Sequence, residues 1–198
     1  MTGTTTSLTP GARRILEVAS ALFYDHGIRG IGVDTIAAAS GITKRTLYDR
    51  FGSKDELVAC YLRARHDRWR DDVLAAAAQA TDATGRVLAP FDVLEQWGPS
   101  RSVRGCAFVN AHAELDDAGH AGRAVIDENK GWLRDFFGAE LAAAEVTDRE
   151  GLAVQLLVLH EGAMVAHAVD REPSAPRRAR DAARVLITAA EQAPAVAR

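Results

Sequence analysis

Apolar residues recur along most of this chain at intervals of three and four, the period of an α-helix with one covered face. Ile15, Val18, Ala19, Leu22 and Phe23 form the first stripe, behind a capping Thr9 and a first-turn Pro10, and Gly27 should end it. The spacing predicts a short helix over 33–39, stopped at Gly41, and a second one capped by Thr43 and running to about Phe51. Ser53-Lys-Asp-Glu56 has the form of a capping box and opens a helix over roughly 54–80, anchored by Leu57, Val58, Tyr61 and Leu62. Val87, Leu88, Phe91, Val93 and Leu94 suggest a helix that Gly98-Pro99 should end, and residues 106–115 suggest another. Residues 119–145, with Val125, Ile126, Trp132, Leu133, Phe136, Phe137 and Leu141, read as one long helix. A second capping box, Thr147-Asp-Arg-Glu150, opens a helix to about Asp170, and a last helix over 175–193 should turn Val185, Leu186, Ala189 and Ala190 inward. No strand alternation and no repeat interrupts this pattern. The expectation is an all-α fold of about nine helices.

Two short helices around Ser40-Gly41-Ile42 make the segment from Thr35 to Phe51 the most informative part of the chain. Ile36, Ala37, Ile42, Leu47 and Phe51 can pack the pair, and small alanines at 37–39 allow close approach. Thr43, Lys44, Arg45, Thr46, Tyr48 and Asp49 are left facing outward. A helix held at a fixed angle by its neighbour, with hydrogen-bonding groups on its free face, is what major-groove reading requires.

Charge and composition fit such a head on a larger body. The net charge is −3, yet residues 1–65 hold nine Lys/Arg against six Asp/Glu, and the remainder fifteen against twenty-one. A locally basic head permits phosphate contact without a basic protein. Cys60 and Cys106 lack metal-ligand spacing and suit a reducing cytoplasm. The polar, Thr-rich start lacks the pattern of a signal peptide. Residues 152–169 are interrupted by Gln155, His160, Glu161 and His167, so a buried helix is expected there rather than a membrane span.

The segment Ser40-Gly-Ile-Thr-Lys-Arg-Thr-Leu-Tyr-Asp-Arg-Phe-Gly-Ser-Lys-Asp-Glu-Leu57, with Ile15, Ala19, Phe23, Gly27, Ile36 and Ala37 before it, resembles the tetracycline-repressor (TetR) family of bacterial regulators over about residues 12–60. The resemblance implies a tail at 1–8, a helix-turn-helix domain at 9–55, and a helical ligand-binding and dimerisation domain at 56–198. It implies a one-component regulator, a repressor rather than an activator, that binds a palindromic double-stranded DNA operator as a homodimer. A small-molecule inducer would release it, with no cofactor and no metal. Thr43, Lys44 and Thr46 would lie nearest bases or phosphates, and Arg45 would read a base directly. Tyr48 would place its hydroxyl on a phosphate, and Lys54 would clamp another with the free N–H groups of its helix start. One departure stands out: Gly32 replaces the usual capping Thr or Ser. Asp34 would then repel phosphate unless it accepts from a cytosine or pairs with Arg45.

For the body, the resemblance implies a dimer through the helices near 151–170 and 175–193. His160, Met164 and His167 share one helical face, Asn110, His112 and Glu114 sit on an otherwise apolar segment, and Trp97, Phe108, Trp132, Phe136 and Phe137 supply aromatic wall. They are either the lining of an inducer site or satisfied core residues. Two other functions stay open at this point. His160-Glu161-Gly162-Ala163-Met164 begins like a zinc motif but ends in Met, and no catalytic elbow or phosphate loop is present, so an enzyme would have to use His160 and His167. A helical adaptor that binds protein would make no use of the 43–54 segment. Arg177, Arg178 and Arg180 are expected to be solvated.

Overall fold

The computed structural model describes residues 8–101 and 103–192; the expected tail lies almost wholly outside them. Among the described residues are nine α-helices and no strand: α1 Pro10–His26, α2 Val33–Ser40, α3 Lys44–Phe51, α4 Lys54–Gln79, α5 Ala83–Arg101, α6 Ala107–Glu114, α7 Ala121–Ala143, α8 Arg149–Ala168 and α9 Ala175–Gln192. The chain divides into two compact units. The first holds the chain up to Arg65 and Phe108–Ile126; the second holds His66–Ala107 and everything from Asp127 onward. Nearly all of α6 and the start of α7 thus group with the first unit. Sequence periodicity fixes which face of a helix is apolar, not which body covers it.

In the first unit, α1 starts where expected. Thr9 Oγ1 accepts from the Ala12 amide at 3.4 Å, and Ala12, Ile15, Ala19 and Phe23 form the buried stripe. Ser53 Oγ accepts from the Glu56 amide at 3.0 Å, one half of the expected capping box, while the Ser53 amide donates to the Phe51 carbonyl at 2.9 Å. Leu57, Val58, Tyr61 and Leu62 are buried behind it, and the Tyr61 ring lies 5.8 Å from that of Phe23.

The second unit has its own apolar core, built from the later half of α4, α5, α7, α8 and α9. Helix α5 does not stop at Gly98-Pro99 but continues to Arg101. A proline in the last turn removes one backbone hydrogen bond, that from its own nitrogen to the carbonyl four residues back. The last turn is also held from outside: Trp97 Nε1 and the Arg101 guanidinium both donate to Asp72 on α4, at 2.9 and 3.3 Å. The cap of α8 is Asp148 rather than Thr147, its carboxylate accepting from the Gly151 amide at 3.1 Å. On α9 the inward face is Ala175, Pro176, Ala179, Ala183 and Ile187, with Leu186 and Ala190 partly covered. Val185 and Ala189 point outward, against expectation. Arg180 is only partly exposed, and it pairs with Asp92 on α5.

Helix α8 has the length and mean hydropathy (20 residues, 1.3) of a membrane-crossing helix. Core helices share that composition, and this one buries Leu152, Ala153, Leu156, His160 and Ala163 in the unit's own core. Its opposite face carries Val154, Val158, Val165 and Val169, which are 51–71% exposed.

Candidate nucleic-acid interface

Helices α2 and α3 meet at a turn that only a residue tolerant of positive φ can make: Gly41 has φ 70° and ψ 17°. The amides of Gly41 and Ile42 donate back to Ala38 O and Ala37 O at 3.3 and 3.2 Å, and Ser40 Oγ adds a bond to Ala37 O at 3.2 Å. Thr43 then caps α3, its Oγ1 accepting from the Thr46 amide at 3.2 Å. Ile36 and Leu47 are fully buried and Phe51 nearly so, while Ala37 and Ile42 are half-covered. This packing fixes the angle between the two helices and leaves one face of α3 free.

That free face carries the expected residues. Thr43, Lys44, Arg45, Tyr48 and Asp49 are exposed, and Thr46 is half-exposed with its hydroxyl 2.9 Å from that of Thr43. The Arg45 side chain is 92% exposed and touches Asp49 only at 4.0 Å, so its guanidinium fork is available for bidentate contact. Asp34 pairs with Lys44, not with Arg45: the ammonium lies 3.0 and 3.1 Å from the two carboxylate oxygens. A hydrogen bond to Asp34 and its charge hold the Lys44 ammonium above its ordinary value. Gly32 precedes α2 without any side-chain cap.

Lys54 is engaged within the head. Its ammonium donates to the Ile28 carbonyl at 2.7 Å, tying the start of α4 to the loop between α1 and α2. The same loop is held from a second side by residues that sequence reasoning passed over. The Arg29 amide donates to Glu114 Oε2 and its Nε to the Glu114 carbonyl, both at 2.8 Å, and its guanidinium pairs with Asp116. His120 Nε2 sits 3.3 Å from Asp55 Oδ1. The acidic run from Glu114 to Asp117 was visible as a signal, but its partners more than sixty residues away were not.

The expected ligand residues divide between the units. Phe108, Asn110 and His112 belong to the first, where Phe108 is buried and His112 exposed. Trp97, Trp132, Phe137, His160, Met164 and His167 belong to the second. There His160 is 1% exposed, with its ring 5.5 Å from Trp69 and 5.7 Å from Phe91. Burial, reinforced by the Lys130 charge, lowers its pKa to about 3; the Pro90 backbone offsets this only in part, and neither ring nitrogen makes a hydrogen bond of ordinary geometry. His167 packs on α5 where a side chain at Gly98 would stand, the Nε2 being 3.0 Å from that Cβ position, and its Nδ1 is buried without a partner. Phe137 lies 5.9 Å from Phe91, and Trp132 stacks on Phe136 at 5.5 Å. Trp97 borders an open hollow of about 450 Å³ with Asp72, Gln96 and Arg101.

A capped helix pair that presents Arg45, Thr43 and Tyr48 from a rigid frame, on an otherwise all-helical chain, defines a helix-turn-helix DNA reader. Residues 15–60 match the profile of bacterial regulatory proteins of the tetR family. A TetR-family transcriptional regulator from Streptomyces coelicolor is 29% identical with TM-score 0.85, covering 92% of this chain and 96% of that one. A TetR-type regulator from Streptomyces avermitilis is 30% identical with TM-score 0.75 over 89% of this chain and 98% of its own. The transcriptional repressor KstR2 of Mycobacterium tuberculosis is 36% identical over 85 residues, which are 41% of this chain and 42% of the repressor's length. The activator FasR of Mycolicibacterium smegmatis is 35% identical over 86 residues, 39% of its length. The chain spans less than half of each of these two curated relatives. It belongs to the TetR family and is a transcriptional regulator, not an enzyme.

Proposed function

We propose that the protein is a ligand-responsive repressor that binds a palindromic operator as a homodimer and leaves it when a small molecule binds the second unit. The observation that carries the dimer is the exposed apolar face of α8. Val154, Val158, Val165 and Val169 recur at intervals of four, seven and four, and Val185 on α9 is 67% exposed. Gly162 stands on the same face, and a Cβ there would meet nothing within 4 Å, which leaves room for a partner helix. A contiguous apolar stripe of this kind marks an interaction surface. A two-fold axis through it would present two α3 helices to successive major grooves.

Arg45 would read a base and Tyr48 a phosphate, with Thr43, Thr46 and Asp49 beside them. Lys44 would reach phosphate by exchanging Asp34 for it, and Lys54 would act through the loop it holds. Arg45→Ala should cost about 1–3 kcal/mol and relax preference at one base pair. Tyr48→Phe should weaken binding to all sequences alike and flatten its salt dependence. Fluorescence anisotropy on matched and mismatched duplexes separates these effects; unchanged affinity in both variants would remove α3 as the reading helix.

For the inducer, the buried polar atoms of His160 and His167 among aromatic rings support a mostly apolar ligand with few hydrogen-bonding groups. Helix α4 contributes to both units and is the element along which a ligand-driven change would reach the head. Only a ligand with different affinity for two arrangements of the protein can drive that change. The similarity to the repressor KstR2 favours repression over the activation carried out by FasR.

A further inference from the structure

The loop between α1 and α2 is built from residues that give it little stiffness of its own. Gly27, Gly30 and Gly32 fill three of its six positions, and glycine loses more backbone freedom on folding than any other residue. Ile28 and Ile31 bury their side chains, but Gly32 then opens α2 without a side-chain cap. The start of α2 thus lacks the hydroxyl acceptor that Thr9 gives α1 and Thr43 gives α3. Distant residues of the same unit hold the loop instead. Glu114, half-buried at the end of α6, accepts twice from Arg29: its carboxylate from the amide and its carbonyl from Nε, both at 2.8 Å. Asp116 pairs with the Arg29 guanidinium, and Lys54 donates to the Ile28 carbonyl at 2.7 Å. The Glu114 carboxylate also lies close against Gly27, where a Cβ would stand 3.1 and 3.2 Å from its two oxygens.

We propose that Glu114 is a positioning residue for DNA reading: from 85 residues along the chain it supplies the constraint on α2 that the missing cap at Gly32 does not. Arg29 stands three residues before Gly32, so fixing its backbone fixes the entry of the chain into α2. Ile36 on α2 and Leu47 on α3 are both fully buried in this head, so an α2 that tilts carries Arg45 and Tyr48 with it. This inference rests on α3 as the reading helix. Charge and position predict opposite signs for the loss of Glu114. A DNA-binding unit that sheds an anion gains affinity for every duplex. A unit that loses the placement of α2 and α3 loses affinity for its own operator.

The test uses the full-length protein, an operator duplex selected from a random pool, and a duplex of unrelated sequence. Glu114→Ala should bind the operator about tenfold more weakly, and the unrelated duplex no more weakly than the wild type does. Glu114→Gln keeps an oxygen acceptor and should stay within about threefold of the wild type on both. Gly32→Ser restores a cap at a position whose backbone suits one (φ −85°, ψ 160°) and where a Cβ meets nothing within 4 Å. It should recover about fivefold in Glu114→Ala protein and less than about twofold in the wild type, a coupling that a serine acting through its own phosphate contact would not show. Without DNA, hydrogen exchange at the Arg29 amide and the first turn of α2 should be faster in Glu114→Ala and slower again once Gly32→Ser is added. Operator affinity that is unchanged in Glu114→Ala, or that falls equally for both duplexes, would overturn the proposal. Equal gains from Gly32→Ser in the two backgrounds, or exchange unaffected by Glu114→Ala, would overturn it too. Wild-type protein that selects no operator would fail the reading of α3, and exchange would still decide whether Glu114 holds the loop.

Discussion

Replacing Val158 with aspartate should leave a folded monomer whose operator affinity is lower by about 10²-fold or more, the advantage that linking two heads confers. Val158 is 65% exposed in the single chain and lies at the middle of the α8 stripe, so the change creates no unpaired charge in the unit's own core. In a dimer it would place two like charges across the axis in a dry interface, which is strongly unfavourable. Sedimentation of the variant should give the monomer mass, with the same helical signal and melting behaviour of an intact unit. A variant that remains dimeric would move the interface elsewhere. A monomer that still binds the full operator as tightly would show that the two heads do not act together.

Acid should destabilise the protein through His160, and a His160→Phe variant should lose that sensitivity. Burial lowers this imidazole to about 3, so the folded chain keeps it neutral while the unfolded chain protonates it near the ordinary value. Above about pH 6.5 neither state binds this proton and the term is absent. As pH falls below that, the unfolded state gains a proton that the fold cannot accept. Stability declines by about 1.4 kcal/mol per unit until the folded pKa is reached, or roughly 2–3 kcal/mol at pH 4.5. Phenylalanine fills a similar volume between Trp69 and Phe91 and does not titrate. Urea unfolding at pH 7 and 4.5 should therefore show a smaller acid loss in the variant, the carboxylates contributing equally to both proteins. Parallel losses would mean that His160 takes up its proton in the folded state.

Much of the fold was legible because its strongest helices satisfy several local rules at once. In α1 the cap, the first-turn proline and the stripe from Ile15 to Phe23 agree; in α2 and α3, Gly41 and Thr43 punctuate a pattern that packing then fulfils. The exposed row on α3 follows from the same pattern, since whatever does not pack against α1 and α2 is left outside. Where local rules were ambiguous the reading slipped. Helix α9 is alanine-rich, so its apolar period has no sharp phase, and Val185 was turned inward when Ala179, Ala183 and Ile187 are the covered residues. Gly98-Pro99 has the form of a stop signal, but tertiary bonds from Trp97 and Arg101 to Asp72 carry α5 past it. The choice of Lys44 over Arg45 as the partner of Asp34, and the grip of Glu114 and Asp116 on Arg29, depend on distances in space that no spacing encodes. The division of the expected ligand residues follows the same logic: Phe108 and His112 share a residue class with Trp97 and His160 but belong to a different unit.

The most direct test of the central claim is selection of bound duplexes from a random DNA pool by the purified protein at about physiological salt, where weak non-specific binding is suppressed. The account predicts enrichment of a palindrome whose half-sites lie about one helical turn, or a multiple of it, apart, with enrichment lost in Arg45→Ala at one position of each half-site. A folded, dimeric protein that enriches no sequence, or enriches one without two-fold symmetry, would contradict it.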